Sequence, residues 1–253
     1  MIGIGIDIGS TATKAVVAND TGDIAEKVVM PTGFSSVEAA DEVAKRLQQA
    51  GYDANELPVV ATGYGRIAVP YANKVVTEIT CHARGAWALF AEDGTVVDVG
   101  GQDTKAIGLA AGKVRKFVMN DKCSAGTGRF LEIMADRLGV SQQELARLAA
   151  AGQPTVISNM CTVFAESEVI SLVGKGEPRE NIARGVIDSV VSRVATLVGQ
   201  VPASRYFLTG GLCENDYVRM RLSEELSAPV DSCENGRFAG ALGAALLAAE
   251  LDG

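Results

Sequence analysis

Short apolar runs that end at glycine or at an acidic residue alternate along this chain with stretches that have helical spacing. The runs "IGIGI" before Asp7 and "GTVV" before Asp98 have the length of buried strands, and two more strands are predicted at 24–30 and 113–119. Together with the helices this alternation predicts an α/β protein. The helical spacing predicts one helix over 35–50 with Ser36 as its N-cap, and others over 78–90, 124–138, 141–150, 162–174, 179–200 and 240–250.

One pattern occurs twice in the chain. Residues 7–17 read "DIGSTATKAVV" and residues 98–108 read "DVGGQDTKAIG", so that Asp, Gly, Thr, Lys and Ala recur at identical offsets. Each copy follows an apolar run and predicts a strand, a glycine turn and a second strand, which together form a β-hairpin. Two such hairpins, about ninety residues apart, indicate two domains of similar plan.

A glycine turn of this kind can bind phosphate. Glycine lets backbone N–H groups approach the anion, and Ser or Thr hydroxyls add donors. Asp7 and Asp98 end their strands beside the turns, where a carboxylate can hold Mg²⁺ through water. Lys14 and Lys105 either contribute to these phosphate and Mg²⁺ sites or point to solvent. Two ordinary glycine-turn hairpins are the alternative, and the match between the two copies argues against it.

A third glycine turn follows later in the chain. The segment "YFLTGGLCEN" at 206–215 predicts a strand, the pair Gly210-Gly211, and a helix from about Glu214. The two hairpins and this turn resemble the phosphate-binding and adenosine-binding elements of the hexokinase–actin–chaperone ATPase superfamily. That resemblance implies a two-lobed α/β fold with ribonuclease H-like lobes and a nucleotide cleft between the lobes.

Composition and charge exclude several classes of protein. The chain has 253 residues with a net charge of −8, which argues against a nucleic-acid or membrane-surface partner. No apolar run is long enough to span a membrane, and the N-terminal run is expected to be a strand rather than a signal peptide, so a cytoplasmic location is expected. The five cysteines are odd in number and include no C-x-x-C pair, which disfavours a disulfide framework and a zinc ribbon.

Two of the cysteines, Cys123 and Cys161, stand where helical patterns begin. A helix N-terminus favours the thiolate, which is the form that ligates metal. A cubane iron–sulfur cluster needs four thiolates, and a symmetric dimer with two from each chain would supply them. From these positions alone the simpler alternative, two ordinary buried cysteines, is the stronger one.

A set of longer motifs favours cluster ligands over two ordinary buried cysteines. "IDIGSTATK", "TEITCHARGA", "DVGGQDTK", "CSAGTGRFLE", "NMCTVFAESEVISL" and "TGG" occur in this order between about residues 2 and 250. Together they resemble the activator, or archerase, components of 2-hydroxyacyl-CoA dehydratases, in the BadF/BadG/BcrA/BcrD-type ATPase family. The resemblance implies an ATPase with one 4Fe–4S cluster shared across a homodimer. It would use Mg²⁺ and ATP to pass one low-potential electron to a partner dehydratase, and a ferredoxin or flavodoxin would reduce the resulting ADP form.

The resemblance also implies roles for individual residues. Cys123 and Cys161 match the cluster ligands, Asp7 and Asp98 the Mg²⁺ carboxylates, and Glu78 is a candidate to orient the attacking water or an ordinary helix-start carboxylate. Residues expected at the nucleotide are Ser10, Thr11, Thr13 and Lys14 in the first hairpin, Gly100, Gly101, Gln102, Asp103 and Thr104 in the second, Gly126, Thr127 and Gly128 in the first turn of the third predicted helix, and Gly210 and Gly211 at the adenosine.

The same motifs predict the domain boundaries. Residues 1–90, joined by the returning segment 236–253, are expected to form the N-terminal lobe, and residues 91–235 the C-terminal lobe with the cluster ligands. Two other functions remain open. One is a small-molecule kinase of the same fold, of the amino-sugar type, for which the chain is short and the two cysteines have no purpose. The other is a non-enzymatic ATP-binding regulator.

Overall fold

A computed structural model describes residues 1–158 and 161–251 of the chain. The strands, in chain order, are β1 Ile2–Ile8, β2 Ala12–Asn19, β3 Ile24–Pro31, β4 Val59–Thr62, β5 Lys74–Val75, β6 Gly94–Val99, β7 Thr104–Ala110, β8 Lys113–Asn120, β9 Tyr206–Gly210 and β10 Val230–Asp231. The helices are α1 Ser36–Gln49, α2 Glu78–Phe90, α3 Gly128–Leu138, α4 Gln142–Ala151, α5 Thr162–Gly174, α6 Arg179–Val198, α7 Asp216–Leu226 and α8 Ala239–Ala249. Both predicted hairpins therefore form.

The chain divides into two compact units. The first contains Met1–Asp93, Leu109–Lys116 and Cys233–Gly253, of which the last two residues lie outside the described part of the chain. The second contains Gly94–Gly108 and Phe117–Ser232. Among the helices of the described residues, none has the length and apolar character needed to cross a membrane.

The first unit is built on a five-stranded sheet with the order β3-β2-β1-β4-β5. β2 lies antiparallel to β1 and to β3, whereas β4 runs parallel to β1 and to β5. The alternation of isoleucine and glycine in β1 has a direct structural reason. Ile4, Ile6 and Ile8 pack into an apolar cluster with α1, and the glycines face α8. A Cβ on Gly5 would lie 1.9 Å from the carbonyl oxygen of Ala241, so the helix backbone rests directly on the sheet.

Helices α2 and α8 pack against each other through small residues. A Cβ on Gly85 would lie 1.9 Å from the carbonyl oxygen of Ala239, and one on Gly243 would lie 1.7 Å from that of Cys81. Gly85 and Gly243 thus let the backbones of the two helices pack in direct contact. Because α8 touches both the sheet and α2, it fixes the position of the α2 N-terminus in this unit.

The second unit contains the sheet of order β10-β9-β6-β7-β8, apart from the tip of the β7–β8 hairpin. Strand β9 runs parallel to β6 on one side and to β10 on the other. One large apolar cluster, drawn from the sheet and from α3 to α7, forms its core. The long helix α6 contributes most to this cluster, through Ile182, Val186, Val190 and Val194 at helical spacing.

Two predicted helix starts were wrong. The N-cap of α1 is Ser35, whose hydroxyl accepts a hydrogen bond from the Glu38 N–H, and not Ser36. Helix α3 begins at Gly128 rather than at residue 124. Gly126 has a φ of +84°, which interrupts helical backbone, and residues 121–127 therefore form a loop before the helix.

Candidate functional site

The first hairpin places a carboxylate and a lysine side by side. Asp7 ends β1 and is the register partner of Lys14 on β2. The Lys14 ammonium lies 3.8 Å from Oδ2 of Asp7, and its side chain stays 18% exposed. The pair is therefore loose, and the lysine has room to reach an anion at the turn.

Two glycines, Gly63 and Gly240, lie against the carboxylate of Asp7. Its side chain is buried, and Oδ1 has no hydrogen-bond partner among the described residues. A Cβ on Gly63 would lie 2.4 Å from Oδ1, and one on Gly240 would lie 2.8 Å from Oδ2. Gly63 also has a φ of +87°, so no other residue fits there without strain. A buried carboxylate oxygen without a partner is costly and suits a water molecule bound to Mg²⁺.

The hydroxyl groups of the first turn have different surroundings. Thr13 is fully buried, and its hydroxyl bonds to that of Thr32 at 2.9 Å, while the Thr32 hydroxyl donates to the carbonyl oxygen of Gly9 at 2.7 Å. The buried Thr13 hydroxyl thus stabilises the turn through its hydrogen bond to Thr32. Thr11 is exposed and Ser10 half-buried, so these two are the hydroxyls that a ligand at the turn can reach.

The second hairpin carries a buried charge cluster. The Lys105 ammonium lies 3.2 Å from Oδ2 of Asp98 and 2.7 Å from Oδ2 of Asp103. Thr209 on the adjacent strand β9 donates to the other oxygen of Asp98 at 3.3 Å. Lys105 is 1% exposed, so the possibility that it points to solvent is excluded. Gln102, at the tip of the turn, is exposed.

The second hairpin is hydrogen-bonded to the loop that precedes α3. The Thr104 hydroxyl donates to the carbonyl oxygen of Gly126 at 2.7 Å. The N–H groups of Gly128 and of the next residue donate to the carbonyl oxygens of Gly100 and Gly101, both at 2.9 Å. The start of α3 is thus fixed to the turn, and its first N–H groups are already used. Thr127, the N-cap of α3, is buried and donates its hydroxyl to the Ser124 carbonyl.

The turn after β9 contains the predicted glycine pair. Gly210 has a φ of +80°, and a Cβ there would lie 2.6 Å from Oδ1 of Asp98, so glycine is required. Gly211 is open, because a Cβ there would meet no described atom within 4 Å. Helix α7 follows, capped by Asn215 slightly later than the predicted start at Glu214. An open, flat turn suits the approach of a base or ribose.

Cys123 lies exposed in the loop before α3 and not at the helix start that the sequence predicted. The Asn120 side chain organises this loop. Its carboxamide oxygen accepts from the Cys123 N–H at 3.3 Å, and its nitrogen donates to the carbonyl oxygens of Cys123 at 2.8 Å and Ala125 at 3.3 Å. One side chain at the end of β8 therefore holds the backbone on both sides of the thiol.

Cys161 is the N-cap residue of α5, as the sequence predicted, and is exposed. Its neighbour Thr162 hydrogen-bonds through its hydroxyl to that of Ser124, the neighbour of Cys123, at 2.9 Å. The two cysteines therefore lie on two segments that are joined directly. Residues 159 and 160, which belong to the motif around Cys161, lie outside the described residues.

The other three cysteines have different environments. Cys81 and Cys213 are buried and Cys233 is half-buried. Burial raises the pKa of Cys81 to about 12, with the negative charges of Asp7 and Glu78 adding to the effect. Burial also raises the pKa of Cys233. Of the five cysteines, Cys123 and Cys161 are exposed and are therefore accessible to a ligand.

A basic side chain adjoins the Cys123 loop. Arg193 on α6 lines a pocket of about 300 Å³ together with Cys123 and Asn120. Its guanidinium lies over the ring of Phe130, with 5.4 Å between the guanidinium carbon and the ring centroid. Burial lowers the pKa of Arg193, and the negative charge at Cys123 opposes that shift. A positively charged side chain therefore lies beside the Cys123 loop.

Glu78 is the first residue of α2, after the N-cap Thr77, and is half-buried. Sequence reasoning missed Gly63, Gly240 and Asn120 as parts of these sites. The only signals were the "TGYG" segment after β4, the glycine spacing in α8, and an asparagine three residues before Cys123. None of these patterns is specific, because each is also common in ordinary turns and helices.

Comparisons with known proteins identify the family of this chain. The sequence profile of the BadF/BadG/BcrA/BcrD ATPase family matches residues 4–248. The (R)-2-hydroxyglutaryl-CoA dehydratase activating ATPase of Acidaminococcus fermentans is 41% identical over 97% of this chain and 96% of its own length. The structure of the activator of the 2-hydroxyisocaproyl-CoA dehydratase from Clostridium difficile, with bound ADPNP, is 37% identical, with a TM-score of 0.92 over 99% of this chain and 95% of that one.

A more distant structure shares the fold alone. A ROK family glucokinase from Streptomyces griseus, in complex with glucose and AMPPNP, has a TM-score of 0.65 at 16% identity and covers 99% of this chain and 100% of that one. Together with the closer structures, it confirms the predicted two-lobed ATPase fold. The family profile and the close relatives confirm the resemblance drawn from the motifs.

Proposed function

This chain belongs to the BadF/BadG/BcrA/BcrD ATPase family and is an ATPase, and we propose that it is an ATP-dependent one-electron donor that activates a 2-hydroxyacyl-CoA dehydratase or a related reductase. Relatives named as activators of 2-hydroxyglutaryl-CoA and 2-hydroxyisocaproyl-CoA dehydratases match almost its full length. Because these names differ in the acyl group, the proposal is limited to the class of partner enzyme.

In this proposal the hairpin turn of each unit binds phosphate groups of ATP. Asp7 holds Mg²⁺ through water, because its buried Oδ1 has no partner among the described residues. Asp98 shapes the second turn, Glu78 orients the attacking water, and the open turn at Gly210 and Gly211 receives the adenosine. The two lobes are 1–90 with the returning segment 236–253, and 91–235.

Cys123 and Cys161 are the proposed ligands of a 4Fe–4S cluster. Both are exposed and lie on segments joined by the Ser124–Thr162 hydrogen bond. A cubane cluster needs four protein ligands, so the proposal requires two copies of the chain. When bound, the cluster supplies a store for one low-potential electron, and the protein supplies thiolates, backbone dipoles and the nearby Arg193 charge.

The homodimer has a suitable surface beside the cysteines. Helix α5 starts at Cys161 and exposes Val163, Phe164, Ile170 and Val173. Exposed apolar side chains clustered on one helix are unusual on a surface that stays in water. A second copy of α5 would cover them and bring the second pair of thiolates to the same place.

The observation that carries the proposal is the hydrogen bonding between the second hairpin and the Cys123 loop. Thr104 and the carbonyl oxygens of Gly100 and Gly101 contact residues 126–129 directly. A shift of the turn on exchange of ATP for ADP therefore reaches the cysteine loop through three hydrogen bonds. A kinase or a plain ATP-binding regulator has no use for a connection between a phosphate turn and exposed thiols.

The proposal includes the remaining partners. The reductant is a ferredoxin or a flavodoxin, and the location is the cytoplasm, where five free thiols are kept reduced. The bound cluster would hold one electron supplied by the reductant, and the ATP-bound protein would present that electron to the dehydratase.

The test is anaerobic purification with analysis of iron, sulfide and mass. We expect about four irons and four sulfides per two chains, ATP hydrolysis that depends on Mg²⁺, and ATP-dependent electron transfer to a 2-hydroxyacyl-CoA dehydratase. The matched control is the double variant Cys123→Ser/Cys161→Ser, which should bind ATP without iron. Colourless, monomeric wild-type protein that still hydrolyses ATP would refute the electron-donor function.

A further inference from the structure

The two hairpins have the same residues at the same spacing, but their lysines have different surroundings. Lys14 is 18% exposed and lies 3.8 Å from a single oxygen of Asp7. Lys105 is 1% exposed and lies within 3.2 Å of two carboxylates, those of Asp98 and Asp103. Asp103 has no counterpart in the first hairpin, where Ala12 occupies the matching position. Lys105 therefore has one more acidic partner than Lys14 has.

The energetics require all three groups together. A buried ammonium is strongly unfavourable unless it is paired. Two carboxylates that share one nitrogen are also close enough to repel each other, so each would be costly without the lysine. Lys105 therefore neutralises one of two negative charges beside a turn that has to receive a polyanion.

The geometry also excludes a direct contact between the Lys105 ammonium and phosphate. An ammonium that binds phosphate has to be accessible to it, and Lys105 is enclosed and oriented toward its two carboxylates. Lys14, with its longer ion pair and its exposed side chain, has neither restriction. The lysines at the matching positions of the two hairpins, Lys14 and Lys105, therefore differ in whether they can reach phosphate.

We propose that Lys105 is a positioning residue, an internal counter-ion that fixes Asp98 and Asp103 and so sets the shape and charge of the second phosphate turn, whereas Lys14 is the lysine that contacts phosphate. The proposal rests on the proposed function only in that both hairpins bind ATP. Lys105 acts through the carboxylates and does not touch the nucleotide.

A labelling experiment on the wild-type protein tests the difference in accessibility. The folded protein is acetylated with an N-hydroxysuccinimide ester, with and without ATP and Mg²⁺, and each lysine is followed by mass spectrometry. We expect Lys14 to react and to be protected by ATP, and Lys105 to remain unmodified in both conditions. Labelling of Lys105 that ATP suppresses would overturn the proposal. If ATP protected neither lysine and bound normally, the assignment of both hairpins to phosphate would fail with it.

A charge-compensation experiment tests the mechanism. Lys105→Met should weaken ADP binding about tenfold or more, because two uncompensated carboxylates then face the phosphates. Lys105→Met/Asp103→Asn has the same net charge at the turn as the wild type, and we expect its affinity to return to within about threefold. The control Lys45→Met removes an exposed lysine of α1 and should leave the affinity unchanged.

Affinity is measured by calorimetry well below the melting temperature of each variant, so that only folded protein contributes. A double variant no better than Lys105→Met would show that the ammonium itself contacts phosphate and would overturn the proposal. Folded Lys105→Met with wild-type affinity would show that the lysine only stabilises the fold, and would overturn it equally.

Discussion

The hydrogen bond from Thr104 to Gly126 offers a direct test of the coupling between nucleotide and cluster. Thr104 is 1% exposed, and its hydroxyl donates to the Gly126 carbonyl oxygen at 2.7 Å. The variant Thr104→Val has nearly the same shape but lacks the donor, so it removes this bond without opening a cavity. Thr104→Ser retains the donor and is the matched control.

The size of the effect follows from the burial of the bond. A typical hydrogen bond contributes about 0.5–1.5 kcal/mol net, and an acceptor left unpaired in a buried place costs about 1–3 kcal/mol. If this bond transmits the movement of the turn to the Cys123 loop, the coupling free energy falls by about 1–2 kcal/mol. That loss corresponds to a factor of about 5–30 in any ratio that reports coupling.

The assay is the rate at which a chelator removes cluster iron under anaerobic conditions, at saturating ATP and at saturating ADP. Saturation removes any change in nucleotide affinity from the comparison. We expect the ratio of the two rates to move at least about fivefold toward one in Thr104→Val and to stay near the wild-type value in Thr104→Ser. An unchanged ratio in Thr104→Val would show that coupling does not pass through this bond.

Four further predictions concern the ligands, the metal carboxylate, the fold and a buried thiol. Cys123→Ser should lose the cluster iron while Cys213→Ser retains it, as measured by iron analysis, and equal iron content would contradict the assignment. Asp7→Asn should reduce Mg-ATP turnover by about 10², and near-wild-type turnover would remove its role. Gly243→Ala should cost about 3 kcal/mol of unfolding free energy in urea, since its Cβ would lie 1.7 Å from the Cys81 carbonyl oxygen. The Cys81 thiol, whose pKa is about 12, should resist iodoacetamide at pH 8 and gain reactivity only as the pH approaches that value.

The sequence predicted the local features of this fold well. Strand β1 alternates isoleucine and glycine because one face packs on α1 and the other on the backbone of α8, and both periodicities are visible in the letters. The repeated Asp-Gly-Thr-Lys pattern located both hairpins, since a strand, a tight turn and a second strand depend on neighbouring residues. The family resemblance was confirmed over residues 4–248, while the individual site residues stay predictions.

The tertiary features could not be predicted in the same way. Helical spacing runs back through "SAGTG", so the sequence placed Cys123 at a helix start. In the structure the helix begins only at Gly128, because the positive φ of Gly126 interrupts helical backbone, and the first N–H groups of the helix bond to carbonyl oxygens of the second hairpin turn. Likewise, the residues that the two copies of the repeat share do not distinguish the 18% exposed Lys14 from the buried Lys105. That difference depends on Asp103 and on the strand β9 that packs beside it.

The buried charges and the coupling are connected in physical terms. A nucleotide shifts a conformational equilibrium only by the difference in its affinity for the two states. If the turn were flexible, it would change its own shape on nucleotide exchange without moving the Cys123 loop. The second turn is fixed from one side by Lys105 and its two carboxylates, and from the other by hydrogen bonds to the Cys123 loop. Removing the lysine should therefore weaken two observables together, ADP affinity and the ATP-to-ADP ratio of chelation rates. The substitution Thr104→Val should affect only the second. Loss of affinity in Lys105→Met without any change in that ratio would mean that the turn binds phosphate but does not transmit its state.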